Sequence, residues 1–163
     1  MSLAGDIDDG RPPATPAELD ALEAQVDGWL RTALAENPLL LALDRGEQGE
    51  RRWYVRMAGE DREFTTVWLR LGQRALHIET YVLPAPEEDE ARFYAHLLRR
   101  NLQLHGLAFA VGPEEAIFLV GSVPLHAVDE AAVDRLLGST WAYVERTFRA
   151  ALRIGFASRL ANS

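Results

Sequence analysis

Residues 52–83 read RWYVRMAGEDREFTTVWLRLGQRALHIETYVL, and the alternation inside this stretch decides the fold. In Arg52–Ala58 the apolar Trp53, Val55 and Met57 fall on one side and Tyr54 and Arg56 on the other. Glu63–Leu71 repeats the pattern, with Val67, Leu69 and Leu71 set against Thr66, Trp68 and Arg70. Ala75–Leu83 does so again, with Leu76, Ile78 and Val82 set against His77, Glu79 and Tyr81. A period of two marks a strand with one buried face. Gly59–Arg62 and Gly72-Gln73-Arg74 supply turns, so the three strands read as an antiparallel meander over a core.

Working outward, the short apolar run Leu39–Leu43 precedes a charged turn, Asp44–Arg51, and adds a further strand. Ahead of it, Thr15-Pro16-Ala17-Glu18 forms a capping box with proline at the first helical position. Leu19, Leu22, Val26, Trp29, Leu30, Ala33 and Leu34 follow at helical spacing until Asn37-Pro38 stops the run. Beyond the meander, Pro84 and Pro86 end the last strand, and a second helix opens at Glu87-Glu88-Asp89-Glu90. Its predicted stripe is Tyr94, Leu97, Leu98 and Leu102, and it closes on Arg99-Arg100, with acids first and bases last as the helix dipole favours. Leu107–Val111 and Ala116–Val120 form a hairpin around Gly112-Pro113-Glu114-Glu115. A long helix starts near Asp129, with Val128 and Val133 spaced for a hydrophobic staple. Leu136, Leu137, Trp141, Val144, Phe148 and Leu152 carry its stripe toward Gly155.

The order α-β-β-β-β-α-β-β-α contains no βαβ alternation. It predicts an α+β fold, an antiparallel sheet of five to six strands flanked by three helices. Residues 1–14, with three Asp, two Gly and two Pro, read as a disordered lead-in. Residues 15–156 form one domain, and 157–163 a frayed tail.

Composition removes whole classes of function. The chain has 163 residues, 48% of them apolar and 26% charged, which suits one globular domain. It has no cysteine, so disulfides, thiolate metal sites and cysteine nucleophiles are excluded. All 17 basic residues are arginine, as a GC-rich bacterial genome would encode. The net charge is −8, and seven of the acids lie within residues 1–30 against the single base Arg11. Such a balance disfavours nucleic acid, whose binding rests on positive charge. No apolar run reaches the roughly 18–20 residues of a membrane span. Residues 1–16 lack the basic start and apolar centre of a secretory signal, so a cytoplasmic location is expected.

The chemistry-bearing residues are scattered. No glycine-rich phosphate loop and no nucleophile elbow occurs. Of the four histidines, His96 and His105 share the second helix but lie nine residues apart, on its opposite faces, and His126 stands alone in a loop. His77 and Glu79 share one strand face, the one pair spaced to hold a metal or position a proton, though an ordinary surface role explains them better. No catalytic residue, metal site or cofactor is nominated.

What remains is a surface. Tyr54, Arg56, Thr66, Trp68, Arg70, His77, Glu79 and Tyr81 project from a single sheet face if the strands pair in order. Aromatic residues interleaved with arginine dominate protein interfaces. Tyr54, Arg56, Trp68, Arg70 and Tyr81 are therefore the candidate protein-binding or dimer face. The competing readings are a face covered by the chain's own helices, or a solvated face with arginine stems lying on rings.

The runs Tyr94-Ala95-His96-Leu97-Leu98-Arg99-Arg100-Asn101, Gly106–Val111 and Ile117–Leu125, the last containing Val123-Pro124-Leu125, resemble the YbjN family of bacterial proteins described as sensory transduction regulators. The resemblance covers about residues 16–155 and is sharpest between 91 and 138. It implies the fold of type III secretion chaperones and a homodimer. Fold does not fix function, so the adaptor or chaperone-like activity toward a client protein that it suggests is an analogy. An actinobacterial source would suit the composition. The other function open to such a chain is sensing of a small molecule in a pocket lined by Trp53, Trp68 and Tyr81.

Overall fold

The computed structural model describes Leu3, Gly5 and residues 8–163. In it the capping box is closed: Thr15 Oγ1 accepts from Glu18 N–H at 3.2 Å, and Glu18 Oε2 accepts from Thr15 N–H at 2.8 Å. This starts helix α1, Pro16–Glu36, which buries Leu19, Val26 and Leu30. Strands β1 (Leu40–Arg45), β2 (Arg52–Ala58), β3 (Phe64–Leu71) and β4 (Ala75–Leu83) follow, then helix α2 (Glu90–Asn101) and strands β5 (Leu107–Val111) and β6 (Ile117–Pro124). The long helix α3, Glu130–Gly155, begins on Asp129, whose carboxylate accepts from Ala132 N–H at 2.7 Å. The element order is the one the sequence predicts.

The six strands form one antiparallel sheet in the order β1-β2-β3-β4-β6-β5. Trp53, Val55, Met57, Val67, Leu69, Leu76, Ile78, Ile117 and Leu119 all point to one face, where α1, α2 and α3 cover them. Near the end of β4 the register with β6 shifts between Tyr81 and Leu83, so Val82 and Leu83 both enter the core. Within the stretch 157–163, Ala157–Ala161 form a short helix, α4. The Glu88 carboxylate accepts from the Ser158 N–H and hydroxyl, at 2.6 and 2.9 Å.

Three local expectations are corrected. Helix α2 starts at Glu90 rather than Glu87, because the N–H groups of Glu87 and Glu88 donate to the Gly155 carbonyl at 2.9 and 3.2 Å. That tie holds 87–88 against the end of α3, and Asp89 turns the chain through φ 48° before the helix begins. The buried row of α2 is then Phe93 and Leu97, while Leu98 and Leu102 are 67% and 87% exposed. Asn101 is next in the row at the same four-residue step. Its amide accepts from Phe109 N–H at 2.7 Å and donates to Phe109 C=O at 3.2 Å, pairing both groups of an edge-strand residue. His105 lies beyond the end of α2, so it and His96 do not share a helix.

Candidate functional site

Because the three long helices pack on one side, the other side of the sheet carries no helix among the described residues. Strand pairing sets its side chains in rows. One row runs Asp44, Tyr54, Trp68, Glu79, Val120 and Ala108. A second runs Arg52, Arg70, His77 and Ser122. Arg56 stands opposite Thr66, and Tyr81 opposite Phe118. Tyr54, Arg56, Trp68, Arg70 and Tyr81 thus share the helix-free face. Of the readings open for it, coverage by the chain's own helices is the one the fold removes.

The sequence reading missed the residue at the centre of this face. Phe118 lies edge-on to Tyr81, with ring centroids 5.7 Å apart, and tilted to Trp68 at 6.4 Å. It joins two aromatics that belong to different strands. The parity of Ile117 and Leu119 against Phe118 was available as a signal. The pairing of β6 with β4, which brings Phe118 there, is a long-range event that local periodicity does not contain. Phe64 was missed likewise: the Arg56 guanidinium lies 4.8 Å from its ring centroid, a cation–π contact at the rim.

The polar character of the face is distinct from that of the whole chain. Arg52, Arg56 and Arg70 face outward beside Glu79 and Asp44, so a molecule of net charge −8 carries a slight excess of positive charge here. Burial pushes the Tyr81 phenol above its ordinary value against the opposing pull of the Arg62 guanidinium, which keeps it a neutral hydroxyl. His77 is buried to 5% exposure on a side that carries no helix. The Glu79 carboxylate is engaged, accepting from Leu3 N–H at 3.2 Å. The His77–Glu79 pair therefore shares a face, with Glu79 already holding backbone. Among the described residues no group of three or more His, Asp or Glu could hold a metal ion.

The pocket proposed for small-molecule sensing does not form as drawn. Trp53 is fully buried under the helices, with its indole N–H on Asp27 at 3.0 Å, whereas Trp68 and Tyr81 lie on the opposite face. Alternation along β2 puts Trp53 and Tyr54 on different sides, so the three aromatics cannot line one cavity.

Comparison with known proteins agrees with the fold. The model of the family described as "YbjN: Putative bacterial sensory transduction regulator" matches residues 26–153, most of the chain. The chain belongs to this bacterial family. It is similar to an uncharacterized protein of Mycobacterium tuberculosis (strain H37Rv), 36% identical over 106 residues, covering 65% of this chain and 58% of that protein. It is similar also to an uncharacterized protein of Mycobacterium leprae, 34% identical over 109 residues, covering 67% of this chain and 59% of that protein. The chain thus spans a little under three fifths of the length of these relatives. Among the described residues no helix is long and apolar enough to cross a membrane.

Proposed function

We propose that this chain is a non-catalytic regulator that works by protein contact. The helix-free sheet face holds a segment of a client protein, and the chain acts as a cytoplasmic, homodimeric adaptor of chaperone-like type. One observation carries the reading: Tyr54, Arg56, Trp68, Arg70 and Tyr81 lie in neighbouring rows of one sheet face that carries no helix among the described residues. Aromatic rings give large contact area at low entropy cost, and arginine adds forked hydrogen bonding. A pleated face also presents its side chains at regular intervals, which suits an extended segment. The exposed Leu98 and Leu102 on α2, away from this face, offer an apolar contact between copies.

The test is crosslinking capture with the wild-type chain and with Trp68→Ala and Arg56→Glu. Supporting behaviour is a partner whose crosslinks map to β2–β4 and whose recovery falls at least tenfold in both variants at unchanged melting temperature. A partner retained equally by all three proteins, or crosslinks confined to the helical side, would overturn the reading. Sedimentation of the purified chain tests the dimer, and a strict monomer at tens of micromolar would remove that part.

A further inference from the structure

The open face is not bare. Residues 8–14 run along the β3–β4 turn. Ala14 N–H donates to Gln73 C=O at 2.9 Å. The Arg74 guanidinium takes the Arg11 carbonyl and lies 3.6 Å from the Asp8 carboxylate. Asp9 lies 4.0 Å from His126 and 3.7 Å from Arg11. Further up β4, Leu3 N–H donates to Glu79, and its side chain comes to rest beside Gly112 and Phe118. A Cβ on Gly112 would stand 3.2 Å from Leu3 Cδ2 and against the Phe118 ring, so glycine there leaves room for both side chains. Leu3 is therefore anchored beside the aromatic group of the face, and residues 8–14 are anchored at the basic β3–β4 turn.

The chemistry of this segment matches the surface beneath it. Asp8 and Asp9 meet Arg74 and His126, and the aliphatic Leu3 meets Phe118. Its fastenings are surface ion pairs and single hydrogen bonds, which hold weakly. What keeps it in place is its tether, since a short linker supplies an effective concentration of about millimolar. A weakly held but tethered segment is one that a better-matched competitor displaces.

We propose that the N-terminal segment, through Leu3 and residues 8–14, is the resident occupant of the sheet face. On the reading given above, the client segment that displaces them is of the same kind: extended and acidic, with an aliphatic side chain ahead of its carboxylates. The lead-in then sets a threshold, so that only a partner outcompeting the tether is bound.

The experiment uses the full chain. A fluorescent, N-acetylated peptide of residues 1–14 is titrated by anisotropy against the wild type and against a variant with the lead-in loosened, Leu3→Ser with Asp8→Asn and Asp9→Asn. These substitutions lie outside every helix and strand, and thermal melts check that folding is retained. The expected result is at least tenfold tighter binding to the loosened variant, abolished by adding Trp68→Ala. A probe with its Asp residues changed to Asn should bind at least tenfold more weakly. Equal, Trp68-dependent affinity for wild type and loosened variant would overturn the resident occupant while leaving the face as a binding surface. Tighter Trp68-dependent binding of a basic or neutral peptide would overturn the proposed chemistry and again leave the face. If no peptide binds any form in a Trp68-dependent way, both readings fall. A dimer that dissolves when the lead-in is loosened would show the segment exchanged between copies, which overturns the intramolecular placement.

Discussion

Asn101 shows how one side chain can stand in for a strand. β5 is an edge, Leu107-Ala-Phe-Ala-Val111, without a charge or proline to blunt it, and such edges invite pairing with other chains. The Asn101 amide, through one N–H and its oxygen, occupies both groups of Phe109 at the centre of that edge. Asn101→Ala should cost about 1–3 kcal/mol in urea unfolding, and an increase in aggregation on heating should accompany the loss. Asp27 acts at the other end of the sheet. Burial alone pushes its carboxyl up, but bonds from Arg31 and Trp53 and the charges of Arg31 and Arg45 outweigh it and hold the group below its usual range. The unfolded chain then binds the proton more readily. Asp27 contributes stability that is complete above the ordinary carboxylate range and is lost as pH falls through its lowered folded value, below about 4. Stability measured from pH 6 to 2 should fall less steeply in Asp27→Asn than in the wild type.

At the scale of elements, α3 is fastened to the β2–β3 turn by residues one helical step apart. The Trp141 indole N–H donates to Ala58 C=O at 2.7 Å, Glu145 accepts from the N–H groups of Glu60 and Asp61 at 3.2 and 2.9 Å, and Arg149 pairs with Asp61. Gly59 belongs to the same junction, since a Cβ there would run into the Arg62 carbonyl. Glu145→Ala should cost about 1–3 kcal/mol by leaving two turn amides without their acceptor, and hydrogen exchange should find Glu60 and Asp61 deprotected. The elements themselves were legible because their information is local. The capping box, the period-two runs and the prolines after β4 each act within a few residues. The start of α2 was not, because the carbonyl that captures Glu87 and Glu88 sits at Gly155. For the same reason the stripe read as Tyr94, Leu97, Leu98 and Leu102 keeps only Leu97 in the buried row, and the true start and the contact with β5 add Phe93 and draw in Asn101 from its margin. The candidate face was legible as far as the meander extends, over Tyr54, Arg56, Trp68, Arg70 and Tyr81, and stopped where β6 contributes Phe118.

For the whole molecule, the sheet divides the labour of the tryptophans. Trp53 is fully buried in the core, whereas Trp68 is half-buried on the helix-free side. Trp53→Ala should destabilise by about 3–5 kcal/mol. Trp68→Ala should cost about 1 kcal/mol or less. Chemical denaturation of the two variants checks the contrast, and equal losses would place Trp68 among the residues that hold the fold together. The strand order carries a further consequence, in time rather than in space. β1–β4 and β5–β6 are each built from neighbours in sequence, but β4 meets β6 across a long separation, from Leu83 with Ile117 to Ala75 with Pro124. Closing a loop of this length costs chain entropy before the pairing repays it. Tyr81 and Phe118 face each other across that seam. The ring cluster of Trp68, Tyr81 and Phe118 therefore comes into being only when the two halves join, and a chain still in the act of folding does not yet have it.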